Sequence, residues 1–162
     1  MEQLENKILL ESAANELRQG HWVRIRLVGD SMKPFLHEDT DILHLAPPSR
    51  TCLQVGHIVL ARHCGDFCLH RIVYKKRETI HLQGDANTTI IEKISSNDVI
   101  AILVEIERNG HIIHCTKRTY QIAGAVWIYL RPLRRISSSL YSFLKLLYHT
   151  YIKKTTTNDK AF

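Results

Sequence analysis

The segment Gly29-Asp30-Ser31-Met32-Lys33-Pro34-Phe35-Leu36 sets a serine immediately after an alternating apolar run, on a turn tightened by Gly29 and stiffened by Pro34. A turn of this kind presents a hydroxyl outward, where it can serve as a nucleophile. A serine hydroxyl is a weak nucleophile at its free pKa, so the chemistry requires a base within hydrogen-bond reach and donors for the oxyanion that forms. Ten histidines are available as bases, and most of them read as surface or strand residues. Strand alternation puts Cys68 and His70 on one face, with His63 and Cys64 across a short turn. This grouping departs from the paired spacing of zinc ligands, so no metal and no other cofactor enters the expectation.

These residues must be held by several kinds of element. Leu4, Ile8, Leu10, Ala14 and Leu17 recur at helical spacing and end at Gly20, giving a short N-terminal amphipathic helix over residues 1–20. Val23, Ile25 and Leu27 alternate with Arg24 and Arg26 as in a half-buried strand. Short apolar runs follow at 41–45, 57–62, 67–74, 79–82, 99–107 and 111–115. Cys64-Gly65-Asp66 and Arg108-Asn109-Gly110 fit hairpin connections, and Pro47-Pro48-Ser49 marks a loop. The expected fold is mainly β, a twisted and partly closed sheet over residues 21–118. Past Thr119 the chain turns apolar and then basic, and Leu140, Leu144, Leu147 and Tyr151 recur at helical spacing, so 119–162 reads as a basic, helical C-terminal tail.

At this point the chain resembles the signal peptidase and LexA superfamily of serine peptidases. Gly29-Asp30-Ser31-Met32-Lys33-Pro34-Phe35-Leu36 is similar to its nucleophile box, and Gly56-His57-Ile58-Val59 to a strand usually written Gly-Asp-Ile-Val. Leu69-His70-Arg71-Ile72 resembles the strand that carries the base, and Gly84-Asp85-Ala86-Asn87 a following Gly-Asp-Asn-Asn turn. Four boxes in order, across residues 23–104, are more specific than any one of them.

The resemblance implies a serine endopeptidase on a LexA- and signal-peptidase-like β-fold. Ser31 would be the nucleophile, and His70 the general base in place of the lysine that many relatives use. An imidazole suits the role, since its unperturbed pKa of about 6.5 lets it exchange protons near neutrality. Asp85 would orient or support His70, and Gly29, Met32 and Pro34 would border the substrate. In histidine-type relatives a second acidic residue follows the Gly-Asp-Asn-Asn turn. Here Thr88-Thr89-Ile90-Ile91 stands there, with Glu92 and Asp98 beyond, so the third residue is open among Asp85, Glu92 and Asp98. The Ser31 N–H would serve the oxyanion; Gly29 stands where some relatives carry a second, hydroxyl donor.

The implied partner is an extended leader- or signal-type peptide. Two other classes compete: an inert peptide-binding or regulatory module on the same fold, and a self-cleaving LexA-like regulator. The net charge of +6 permits binding to nucleic acid, membrane or an acidic partner. A single N-terminal helix cannot form a helix-turn-helix reader, so nucleic acid is not the expected partner. The tail has two uses, docking on its own domain or lying in a membrane interface with Leu140, Phe143, Leu144 and Leu147 buried. The N-terminus lacks a basic stretch followed by an apolar one, and no run of about 18 apolar residues occurs. The expected address is therefore the cytoplasm, or the inner face of the membrane. The four cysteines do not form a convincing disulfide framework and are expected to be reduced.

Overall fold

Short apolar and alternating stretches form strands whose registers bring distant boxes together. The computed structural model describes residues 2–38, 40–48, 53–87 and 89–136. Among these, eight strands form one antiparallel, curled sheet, mainly β in content with a few helices. The strands are β1 (Val23–Arg26), β2 (Asp41–Ala46), β3 (Ile58–His63), β4 (Asp66–Lys76), β5 (Thr79–Gln83), β6 (Glu92–Ser95), β7 (Val99–Arg108) and β8 (His111–His114). Their order is β1-β2-β7-β3-β4-β5-β6.

The long strand β7 is the hinge of this arrangement. One edge pairs with β2, while the other is shared: its first residues pair with β3 and its last with β8. Register shifts at His44/Leu45, Leu60/Ala61 and Ile72/Tyr74 disrupt the ladders locally, and such bulges bend a sheet and increase its twist. The hairpins form at the expected places. Cys64-Gly65 joins β3 to β4 and Asn109-Gly110 joins β7 to β8, all four residues with positive φ, as a two-residue turn matched to strand twist requires.

Two apolar clusters divide the interior. One gathers Leu27, Met32, Leu36, Leu43, Leu60 and Ile106 with Leu17 from helix α1 (Glu2–Arg18). The other gathers Val59, Ile72, Ile80, Leu82, Ile94 and Val99. The alternation of β4 serves both, because Phe67 and Leu69 pack on the first and Cys68 and Ile72 join the second.

Two sequence boundaries shift. The strand β6 was not expected: its four residues carry one apolar residue, Ile94, between polar neighbours, too few to register as alternation. The expected boundary at residue 118 also moves, because the first compact unit runs to Tyr129 and includes a second helix, α2 (Arg118–Tyr129). This helix is anchored by Tyr120 and Trp127, whose rings meet Phe35 edge-on, contacts that only the folded chain creates. The second unit begins at Leu130, where Arg134 N–H donates to the Leu130 carbonyl within a helical turn. Leu140, Phe143, Leu144, Leu147 and Tyr151 lie outside the described residues. Among the described residues no helix is long and apolar enough to cross a membrane.

Candidate active site

Ser31 is exposed at the start of a tight turn that leaves β1, while the residues on either side of the turn are anchored in the core. Gly29 has φ of +92°, a conformation L side chains rarely adopt, so the approach to Ser31 depends on glycine. Met32 is 1% exposed and Leu36 is fully buried, and their side chains plug the turn into the first cluster. Met32 was expected to border the substrate; its methylenes and sulfur are core instead, whereas Pro34 is exposed. Asp30 and Lys33 pair across the outside of the turn at 2.7 Å.

The second half of the site comes from the turn after β5. Asn87 N–H donates to the Gly84 carbonyl at 3.0 Å, closing the turn, and Ala86 N–H donates to the Ser31 carbonyl at 2.9 Å. This bond fastens the serine's own backbone to the Gly84–Asn87 segment. Gly84 is a close approach between the two halves. A Cβ there would fall 2.7 Å from the Ser31 carbonyl oxygen, 3.3 Å from Ser31 Cβ and 3.2 Å from His70 Nε2. Ser31 and the Nε2 edge of His70 therefore border the same small volume, and only a residue without a side chain fits beside them.

His70 reaches this point from the middle of β4, opposite Val59 of β3. Its other nitrogen, Nδ1, is 2.7 Å from Glu92 Oε2, and both side chains are 15% exposed. An ionised carboxylate only accepts hydrogen bonds, so Nδ1 is the donor in this contact, and Nε2 is the nitrogen on the Gly84 side, which Ser31 also borders. Glu92 lies at the start of β6, opposite Leu82 of β5, and shares the β6 face of buried Ile94. Its carboxylate and burial also push the Cys68 thiol up to about 12, burial being the larger cause, so Cys68 is a neutral thiol beside the pair. Among the described residues, no group of three or more His, Cys, Asp or Glu side chains is arranged to hold a metal ion.

Asp85, expected to support His70, has a different partner. Its oxygens accept from Arg71 Nε at 2.8 Å and Nη2 at 2.6 Å, and the two side chains are 3% and 0% exposed. Asp85 and Glu92 divide between neighbouring residues: Arg71 points to the opposite face of β4 from His70, and a strand's alternation makes it impossible for one carboxylate to serve both in the same way. Arg71 Nη1 also donates to the Gly56 carbonyl at 2.7 Å, and its guanidinium lies 4.5 Å over the Phe35 ring. Burial would weaken the charge on Arg71, but the Asp85 hydrogen bonds and charge more than offset it and raise its pKa. Asp98, the remaining acidic candidate, accepts from Ser95 N–H at 2.8 Å and caps the 3-10 turn at Ser96–Asp98.

A further arginine holds the end of the Ser31 turn. Arg108 grips Asp41 with two bonds of 2.7 Å and donates from Nη2 to the Phe35 carbonyl at 2.8 Å. His57, where relatives in the resemblance carry aspartate, meets the Gln121 amide of α2 at 3.2 Å. The signal that could have singled out Glu92 from Asp85 and Asp98 was its place two residues before Ile94 in a short strand, on the face that β4 gives to His70. No family model matches the chain, and no curated protein or solved structure is significantly similar to it.

Proposed function

We propose that the protein is a serine endopeptidase in which Ser31, His70 and Glu92 act in sequence, on a LexA- and signal-peptidase-like β-fold. The observation that carries this reading is the close approach at Gly84, where Ser31 and His70 Nε2 both border the glycine, with Glu92 on the other nitrogen of the same imidazole. In this reading Ser31 Oγ attacks a scissile carbonyl while His70 Nε2 takes its proton, and the imidazolium so formed is stabilised by Glu92. The same nitrogen then returns the proton to the leaving amine, and water repeats the sequence on the acyl-enzyme. The Ser31 backbone N–H serves the oxyanion, as the resemblance implies.

The substrate in this reading is an extended leader- or signal-type peptide added beside a sheet edge near Ser31, where main-chain hydrogen bonds would align it. The strand leading into Ser31, β1, is a terminal strand of the sheet order, which supports that placement. A location on the cytoplasmic side, at or near a membrane surface, belongs to the same proposal.

The test offers leader-type peptides and a fluorophosphonate to the wild type, Ser31→Ala and His70→Ala, and maps the modified residue by mass spectrometry. Cleavage and phosphonylation of Ser31 in the wild type alone are expected. Equal residual cleavage in all three proteins, with Ser31 unmodified in folded wild type, would leave the inert peptide-binding module as the better reading.

A further inference from the structure

Helix α2 lies outside the four boxes of the resemblance, yet it touches both walls of the turn that carries Ser31. One wall is the Gly84–Asn87 turn, whose Ala86 N–H holds the Ser31 carbonyl. Trp127 Nε1 donates to the carbonyl of Asp85, the residue before Ala86, at 3.0 Å. The other wall is Phe35, at the end of the serine turn, and the Trp127 ring meets it edge-on with centroids 5.8 Å apart. A single side chain thus bridges the Asp85 carbonyl on one side of Ser31 and the Phe35 ring on the other.

The helix can come this close because Gly124 faces the Arg71 guanidinium. A Cβ at Gly124 would fall 2.5 Å from Arg71 Nη1 and 3.2 Å from its Cζ. Arg71 cannot give way, being locked by Asp85 and the Gly56 carbonyl. Tyr120, Gly124 and Trp127 recur at helical spacing on this inner face, whereas Ile122, Val126 and Tyr129 are exposed on the other.

We infer that Trp127 is a positioning residue for the nucleophile, and that α2 is a strap whose seating through Gly124 sets the approach of Ser31 to His70. The inference rests on the peptidase reading for its catalytic consequence, but its structural core, that Trp127 holds the Asp85–Ala86 backbone against Ser31, stands independently. Trp127→Phe keeps an aromatic ring on the Phe35 side but removes the N–H donor and part of the indole's bulk. Trp127→Ala removes both.

The experiment compares wild type, Trp127→Phe, Trp127→Ala and, on the same helix, Tyr129→Ala, whose native side chain is 84% exposed. Two quantities are read on the same samples: the saturation kinetics of phosphonylation by a fluorophosphonate, and hydrogen exchange at the Ala86 amide. In phosphonylation the Ser31 Oγ–P bond forms, the P–F bond breaks, fluoride leaves and His70 takes the serine proton. A displacement of about 1 Å in a reacting group costs on the order of 100-fold, so the first-order step is expected to slow about tenfold in Trp127→Phe and about 100-fold in Trp127→Ala. The half-saturating probe concentration should not change. Exchange at Ala86 should quicken in both variants while amides of β3 and β7 keep their protection, and Tyr129→Ala should match the wild type. Unchanged labelling and unchanged Ala86 exchange in folded Trp127→Ala overturn the inference. Should wild-type Ser31 resist the probe, the peptidase reading fails, and Ala86 exchange alone decides whether Trp127 holds the turn.

Discussion

Neighbouring residues of β4, His70 and Arg71, each meet a carboxylate from the stretch that follows β5, and the two pairs have opposite physical characters. Arg71 and Asp85 are joined by two short hydrogen bonds with almost no solvent contact, and a third bond to Gly56 O occupies the guanidinium further. A guanidinium does not lose its proton at any ordinary pH, so this pair holds a shape and can exchange nothing. His70 and Glu92 share one contact, keep some exposure, and leave Nε2 beside Gly84, which Ser31 also borders. The difference teaches that a carboxylate beside a motif is assigned by the face its partner occupies, since one step along a strand exchanges a buried fastener for a half-buried pair with a titratable imidazole.

The sharpest way to break the comparison is to exchange the roles of the two acids. Asp85→Asn leaves Arg71 buried without its counter-charge, which costs about 3–5 kcal/mol of stability. A urea titration should show a large fall in midpoint, and the fall should exceed that of Glu92→Gln. Glu92→Gln should leave the midpoint nearly unchanged and slow phosphonylation of Ser31 on the order of 100-fold, the scale of a lost acid–base contribution. If Asp85→Asn slowed the chemistry with little loss of stability, and Glu92→Gln did the reverse, the two assignments would be exchanged.

Gly84→Ala is the next test, because it addresses the space between the two pairs. The added methyl meets the Ser31 carbonyl oxygen, which is backbone and cannot swing aside. Overpacking of this kind costs about 1–3 kcal/mol, and the thermal midpoint should fall accordingly. The Ala86 to Ser31 bond should weaken with it, read as faster exchange of the Ala86 amide.

The smallest effect belongs to acid and to the other arginine clamp. Burial raises the pKa of Asp41, but the Arg108 and His37 hydrogen bonds and the Arg108 charge outweigh it, so the folded value lies below the ordinary one. A carboxyl depressed in this way contributes stability that is full above the unfolded value of about 3.9 and is lost as pH falls through the folded value. Between pH 7 and pH 5 the Asp41 contribution should be flat, and below about pH 4 the wild type should lose stability faster than Asp41→Asn. Parallel acid-unfolding curves for the two proteins would remove Asp41 as a source of that loss.

Much of the sheet was legible because half-buried strands write their burial as alternation. Val23-Arg24-Ile25-Arg26 carried that pattern, the runs that became β2, β3, β4, β5, β7 and β8 stood out as short apolar stretches of strand length, and Cys64-Gly65 and Asn109-Gly110 supplied turns that need positive φ. The strand β6 was lost because Ile94 is its single apolar residue, and with it went the placement of Glu92. Ser31 and His70 were legible by type and by resemblance, and the structure places them on either side of Gly84. Met32 was legible as part of a motif but not as core, since its burial depends on how the turn folds back on β2 and β7.

By itself, the sequence determined the local quantities: which residues alternate, where the chain can turn, and that a serine stands on a glycine-dependent bend. The tertiary structure alone decided which acid meets which base, that Gly84 and Gly124 are close approaches, and that α2 reaches the serine turn. Those are contacts between residues tens of positions apart, and their geometry follows from strand register and helix packing, neither of which is encoded in any short stretch of residues.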